Sequence, residues 1–356
     1  MMHAPFKSLL LDQYRRWPKL TAQDLTKALY QAVFGCGHFV ENTERGLQWL
    51  IREEQEQTVV SRELIPPPVE PLSGAYCRVH LSHMAESGLS AKTLFRLFAL
   101  SAKAPAGDMS FFCSLLDHME AMIESDELPV DSVQAKEFLA AYRAAGCPPT
   151  HHSDAFRAAY APAYRVIRTD FARFLPLFSA IDRLLAENRS ITVALEGGSA
   201  SGKSTLGDLL KKVYDCNLFH MDDFFLQMHQ RTPERFSQPG GNVDYERFRE
   251  EVIVPLAQGK AFSYRVFDCS VMALGDSVAV QPKKLNIVEG AYSMHPYLAD
   301  AYDLSCFIRI DPDAQAERIL RRNGPEMQKR FLNEWIPLET KYFEATGLPE
   351  RCTLIL

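Results

Sequence analysis

Long hydrophobic runs are missing from this chain: nowhere is it apolar over the roughly eighteen residues that a membrane helix needs. The N-terminus, MMHAPFKSLLLDQYRRWP, offers only three leucines before it turns charged, which fits neither a signal peptide nor a membrane span. A surplus of positive charge is missing too. Lys and Arg number 39 against 45 Asp and Glu, a net charge of -6, so no broad surface for nucleic acid or anionic membrane is expected. The eight cysteines form no CxxC pair and no dense framework, which excludes a disulfide scaffold and favours reduced thiols in a cytosol. Internal repeats and low-complexity tracts are absent. The expectation is a cytoplasmic protein without nucleic-acid or membrane partners; oligomerisation stays open.

What is present suits a globular protein of two ordinary domains, with 356 residues, 47% hydrophobic and 24% charged. The first half reads as helical. Leu25, Ala28, Leu29, Ala32 and Val33 share one helical face behind a capping box of Thr21 and Asp24; Leu94, Leu97 and Phe98, and Phe112, Leu115, Leu116, Met119 and Ile123, repeat the pattern. IPPPVEPLSG at 65–74 and GCPPTHHSD at 146–154 break it as extended loops. A further helix carries Leu177, Phe178, Ile181, Leu184 and Leu185, with Pro176 at its start. After it the character changes. ITVALE, KLNIVE, SCFIRI and CTLIL are short apolar runs separated by helical stretches, as buried parallel strands would be. The boundary falls at about residue 185, giving a mostly α-helical domain over 1–185 and an α/β domain with a mainly parallel sheet over 186–356.

Gly197, Gly202, Lys203 and Ser204 satisfy G-x-x-x-x-G-K-[ST] within EGGSASGKST. The run from Ile191 to Leu195 supplies the strand before the loop; Leu206, Leu209, Leu210 and Val213 supply the amphipathic helix after it. Gly197, Gly198 and Gly202, with small Ser199, Ala200 and Ser201 between, let backbone N–H groups converge on phosphate oxygens at the positive end of a helix that begins with Lys203, Ser204 and Thr205. Lys203 can reach the β- and γ-phosphates of ATP, and the Ser204 hydroxyl can ligate Mg2+. A ligand-free glycine turn is the alternative, which the flanking strand and helix disfavour.

Downstream, HMDDFF at 220–225, PGGNVDYERF at 239–248, YRVFD at 264–268, IVEGAY at 287–292 and DPDAQAERILRRNG at 311–324 follow in an order and spacing that resembles the uridine kinase and phosphoribulokinase family. The resemblance covers residues 188–356 and implies a P-loop kinase fold using ATP and Mg2+ on a small-molecule acceptor. It implies that Asp222 is the base for the attacking hydroxyl, with Asp223 as rival; were the strand to continue through HMDDFF, the two would face opposite ways and only one could serve. It gives the acceptor sugar to Asp244, with Tyr245 and Asp268 alongside, and makes Glu289 an Mg2+-linked or water-mediated carboxylate. Asp244 reads equally as a turn residue, and Glu289 as a buried salt-bridge partner. Arg318 and Arg322, one helical turn apart, would stabilise the transferring phosphoryl group.

The chain departs from the family at FDCSVM, 267–272, where uridine kinases show a closely following His-Ser-Arg that helps read the pyrimidine. In the helical half, His38, His80, His83, His151 and His152 lack the spacing of a zinc set. Arg157, Tyr160, Tyr164 and Arg165 suit either an anion pocket or a clamp between domains. The expected activity is an ATP-dependent kinase acting on a small alcohol, a nucleoside first. The alternative is a nucleotide-binding regulatory protein in which the P-loop is the switch and the helical half the output or ligand-sensing module.

Overall fold

The computed structural model describes residues 4–36, 43–57, 66–103 and 107–356. They divide into two compact units, Met1–Ser179 and Ala180–Leu356.

The first unit is mostly helical. Helices Ala4–Arg16, Ala22–Phe34, Met109–Glu124 and Ser132–Ala144 turn their apolar stripes onto one core that includes Leu10, Leu25, Leu29, Phe112, Leu116 and Leu139. The Thr21–Asp24 capping box is formed, with Asp24 Oδ2 accepting the Thr21 N–H at 2.9 Å. A three-stranded antiparallel sheet joins these helices: β1 (Val69–Pro71), β2 (Tyr76–His80) and β3 (Tyr164–Arg168), with β2 in the middle. β1 runs through the proline-rich segment that reads as a loop; Ile65 of that segment lies outside the described residues. β2, YCRVH, is buried at every position and so carries Arg78 into the interior. The Arg78 guanidinium donates to Glu70 Oε2 at 3.3 Å and twice to Gln31 Oε1 at 2.9 and 2.7 Å, so the charge is paired and its donors are occupied. Burial alone would raise the Glu70 carboxyl; Arg78 and His80 outweigh it and hold the group far below the usual carboxylate range.

The second unit is α/β. Strands β4 (Ile191–Glu196), β5 (Cys216–His220), β8 (Leu285–Glu289), β9 (Leu304–Phe307) and β10 (Leu354–Ile355) form a fully parallel sheet in the order β10-β9-β4-β8-β5. β8 and β9 are buried throughout and β4 nearly so, as a parallel sheet covered on both faces requires. Between β5 and β8 the chain makes a separate antiparallel hairpin, β6 (Phe262–Asp268) and β7 (Ala273–Val280). The carboxyl ends of β4, β8 and β5 lie side by side, where open α/β sheets hold their ligands. No helix among the described residues is long and apolar enough to cross a membrane.

Candidate active site

The loop 197–202 leaves central strand β4 and runs directly into helix Lys203–Val213. Two glycines are required by its geometry. Gly197 has φ 145°, and a Cβ there would stand 2.5 Å from the Ile308 carbonyl oxygen; Gly202 has φ 104° as the helix cap. Lys203 is 8% exposed, and its ammonium donates to the carbonyls of Gly197 and Gly198 at 2.7 and 2.8 Å, bridging the mouth of the loop. Ser204 and Thr205 are exposed in the first helical turn. The buried Ser201 hydroxyl has no hydrogen-bond partner among the described residues. An unsatisfied hydroxyl, unpaired helix-start N–H groups and a convergent lysine are what a polyphosphate would satisfy, so these residues fit the nucleotide.

The loop is braced from residues that sequence reasoning did not single out. Glu196, fully buried at the end of β4, accepts from the N–H groups of Gly197, Tyr292 and Met294 and from the Tyr342 hydroxyl, at 2.8 to 3.2 Å. Burial pushes its carboxyl up to about 7, against the pull of these donors and of the Lys203 charge. Glu339 accepts from the Ser199 N–H at 2.9 Å and from the Ser199 hydroxyl at 2.6 Å. The Gln315 amide donates to the Ser199 carbonyl at 2.7 Å. Glu339 and Gln315 stand more than a hundred residues after the motif, and no local pattern connects them to it. Glu196 adjoins the motif, but its role needs donors from residues 292 to 342.

β5 stops at His220, and Met221–Phe224 form a 3-10 turn. The strand alternation expected for Asp222 and Asp223 therefore does not apply; other contacts separate them. Asp223 accepts from the Tyr264 hydroxyl of β6 at 3.2 Å. Asp222 makes no hydrogen bond among the described residues and is open to solvent. Its carboxyl is raised nonetheless: by desolvation first, then by the negative charge of Glu289, with the Lys203 charge opposing. Glu289 pairs with His220 in the adjacent register of β8 and β5, Oε1 standing 2.6 Å from His220 Nδ1. That bond raises the His220 pKa.

The remaining candidates are more dispersed. Asp244 is 2% exposed and caps the turn Tyr245–Phe248, Oδ1 accepting the Arg247 N–H at 3.1 Å. Tyr245 stacks on His295 with centroids 3.8 Å apart, beneath the Arg235 guanidinium at 4.1 Å. Asp268 is exposed at the β6–β7 tip, where bonds from Ser270 lower its pKa; the neighbouring Cys269 thiol is raised first by partial burial and then by the Asp222 charge. Arg318 approaches the Ala200 carbonyl at 3.3 Å and so touches the loop. Arg322, expected beside it, instead donates to Asn323 at 2.7 Å and lies 5.9 Å from the Phe331 ring, just before the helix breaks at Gly324, φ 79°.

Of the histidines, His38 lies outside the described residues. His80 pairs with Glu70 at 3.0 Å, His152 with Asp24 at 2.8 Å, and His83 with the Pro66 carbonyl at 2.7 Å.

No family model and no curated protein matches the chain. Solved structures similar to part of the chain include a Bacillus stearothermophilus protein described as a possible uridine kinase, at 19% identity over 51% of this chain and 98% of that one, TM-score 0.39. A Silicibacter protein provisionally assigned as a fructose transport system kinase matches at 22% identity over 47% of this chain and 90% of that one, TM-score 0.40. A shikimate kinase from Bacteroides thetaiotaomicron matches at 14% identity over 47% and 85%, TM-score 0.24. At such identities and scores these likenesses carry no argument by themselves, and the P-loop α/β fold of residues 180–356 rests on the sheet order and loop geometry above.

Proposed function

We propose that this protein is an ATP-dependent kinase that transfers the γ-phosphoryl group of Mg·ATP to a hydroxyl of a small molecule, with a nucleoside as the acceptor class. The observation that carries this reading is Asp222: an open carboxylate without a hydrogen-bond partner among the described residues, close enough to Lys203 and Glu289 to feel both charges. The nucleotide would be held by the loop 197–202, Lys203 and Thr205, and the cation by Ser204 and Glu289. When bound, Mg·ATP supplies the phosphoryl group and the positive charge that offsets its transfer. Asp222 orients the acceptor hydroxyl and takes its proton. Arg318 stabilises charge near the loop, and Arg322 would need a change of side-chain direction to join it. The cap geometry of Asp244 supports a positioning role, in which it orders the turn that carries Tyr245 rather than standing open to a sugar. Asp268 and the FDCSVM tip flank the acceptor, and the absent family histidine there supports an acceptor other than uridine.

The test is ADP release from Mg·ATP in the presence of a panel of nucleosides, vitamins and sugar alcohols. Release that rises with one acceptor and saturates supports the kinase. Nucleotide binding with no acceptor-dependent release would support the regulatory-switch reading instead, since a switch requires neither Asp222 nor an acceptor pocket.

A further inference from the structure

The first unit contains a cavity of about 920 Å³, within the size range of small-molecule sites, that the kinase reading does not use. Its wall combines charge and flat rings in a way that a structural void does not need. Four basic side chains line it, Lys27, Arg45, Arg157 and Arg165, against two acidic ones, Glu53 and Glu56. Arg165 is committed to Glu53. Lys27 is not committed to any carboxylate among the described residues; its ammonium donates to the Thr150 carbonyl at 2.9 Å, and its surroundings are partly buried. Arg157 stands near enough for its charge to act on Lys27; it donates to the His152 carbonyl at 3.0 Å and keeps only a long, exposed pairing with Asp154 at 3.6 Å. Leaving an ammonium underpaired beside a second cation costs free energy unless an anion shares the site.

The rest of the wall is aromatic. Trp49 is 59% exposed although it is a large apolar side chain, and it faces the cavity together with Tyr30, Phe95 and Phe98. The Arg45 guanidinium lies over the indole at 5.4 Å, and the rest of this exposed ring offers a stacking surface on the wall. Beneath it, Asp24, His152 and Tyr164 form a fixed chain: Asp24 Oδ1 lies 2.8 Å from His152 Nδ1, and the Tyr164 hydroxyl 2.6 Å from Nε2. Burial brings His152 down to about 4, so it stays neutral and adds no charge to the floor.

We infer that this cavity is a second ligand site, which takes a small anion carrying a flat ring, the phosphate or carboxylate against Lys27 and Arg157 and the ring against Trp49. This site is independent of the P-loop, because every residue that lines it belongs to the first unit. The groups facing Lys27 fix the pH dependence of binding. Burial, then Arg78, bring its pKa down to about 8; Asp24 opposes and Arg157 adds. A bound anion restores the charged form, so affinity should fall as pH rises through that region.

The experiment is calorimetric titration of the full chain carrying Lys203→Ala, which weakens the P-loop as a competing site, while the Lys27→Met and Trp49→Ala variants below tie any binding seen to the cavity rather than to the second unit. The probes are uridine 5′-monophosphate and adenosine 5′-monophosphate for the phosphate arm, 3-phenylpropionate for the carboxylate arm, and the neutral nucleosides as controls. Saturable binding of at least one anion, weaker for its neutral counterpart by about tenfold or more, is expected. Lys27→Met should reduce affinity by about tenfold and remove the decline near pH 8. Trp49→Ala, at an exposed rim position that does not threaten folding, should weaken binding severalfold. No saturable binding by any probe, or binding unchanged in both variants, overturns the assignment.

Discussion

Lys203 holds two carbonyls of its own loop, and this single contact makes the mouth of the P-loop a closed ring before any phosphate arrives. Lys203→Ala should weaken ATP binding and turnover together by about tenfold or more, because a charge-assisted contact to phosphate is lost along with the bridge. Equilibrium titration with ATP reads the first and ADP release the second. Glu196 makes a sharper case. Four donors converge on one buried carboxylate, and Glu196→Gln would turn an amide NH2 toward some of them. A loss of about 1–3 kcal/mol is expected in a denaturant melt. The wild type should also lose stability from about pH 4.5 toward pH 7, because its folded carboxyl is raised while the unfolded one ionises earlier; the variant should lack that slope. For His220 the sign is opposite. Its pKa is raised by Glu289, so the pair stabilises fully below the ordinary value of 6.5, and the contribution disappears as pH rises through the raised one. An NMR titration of the His220 ring should show this, and Glu289→Gln should return it toward 6.5; an unmoved titration would mean that Glu289 is not the cause.

At the scale of elements, the loop between β4 and its helix is rigid because its neighbours leave no room. Gly197→Ala would put a methyl 2.5 Å from the Ile308 carbonyl oxygen at a φ that side chains avoid, and should cost about 1–3 kcal/mol in thermal melts along with ATP affinity. Wild-type melting would show that the loop yields. Helices with a clean apolar face, such as Ala22–Phe34 and Met109–Glu124, were legible in the sequence, as were the apolar runs that became β4, β8 and β9. β2 was not. YCRVH carries an arginine and a histidine on a strand that is buried on both faces, and partners from elsewhere, Glu70, Gln13, Gln31 and the Tyr164 ring among them, offset that burial. The β6–β7 hairpin was hidden as well, since ALGDSVAV has little alternation and its outer positions remain exposed. In the site, the glycines and lysine of the P-loop announce themselves because phosphate binding fixes their spacing. Glu339 and Gln315 act through contacts that only the folded chain creates.

At the scale of the whole molecule, a chain with a net charge of -6 gathers positive charge at the cavity of the first unit, where four basic side chains face two acidic ones. Each unit has its own hydrophobic core. The kinase reading needs only the second, and it turns on whether a carboxylate there does chemistry or merely lines a nucleotide site. Asp222 and Asp223 make an internal comparison, because Tyr264 engages one and leaves the other open. The most direct measurement is acceptor-dependent ADP release by Asp222→Asn, with ATP affinity titrated in parallel on the same preparation. Release should fall by about a hundredfold or more while ATP affinity stays nearly intact, as expected when a general base is removed. An unchanged rate, or a loss that instead follows Asp223→Asn, would contradict the assignment.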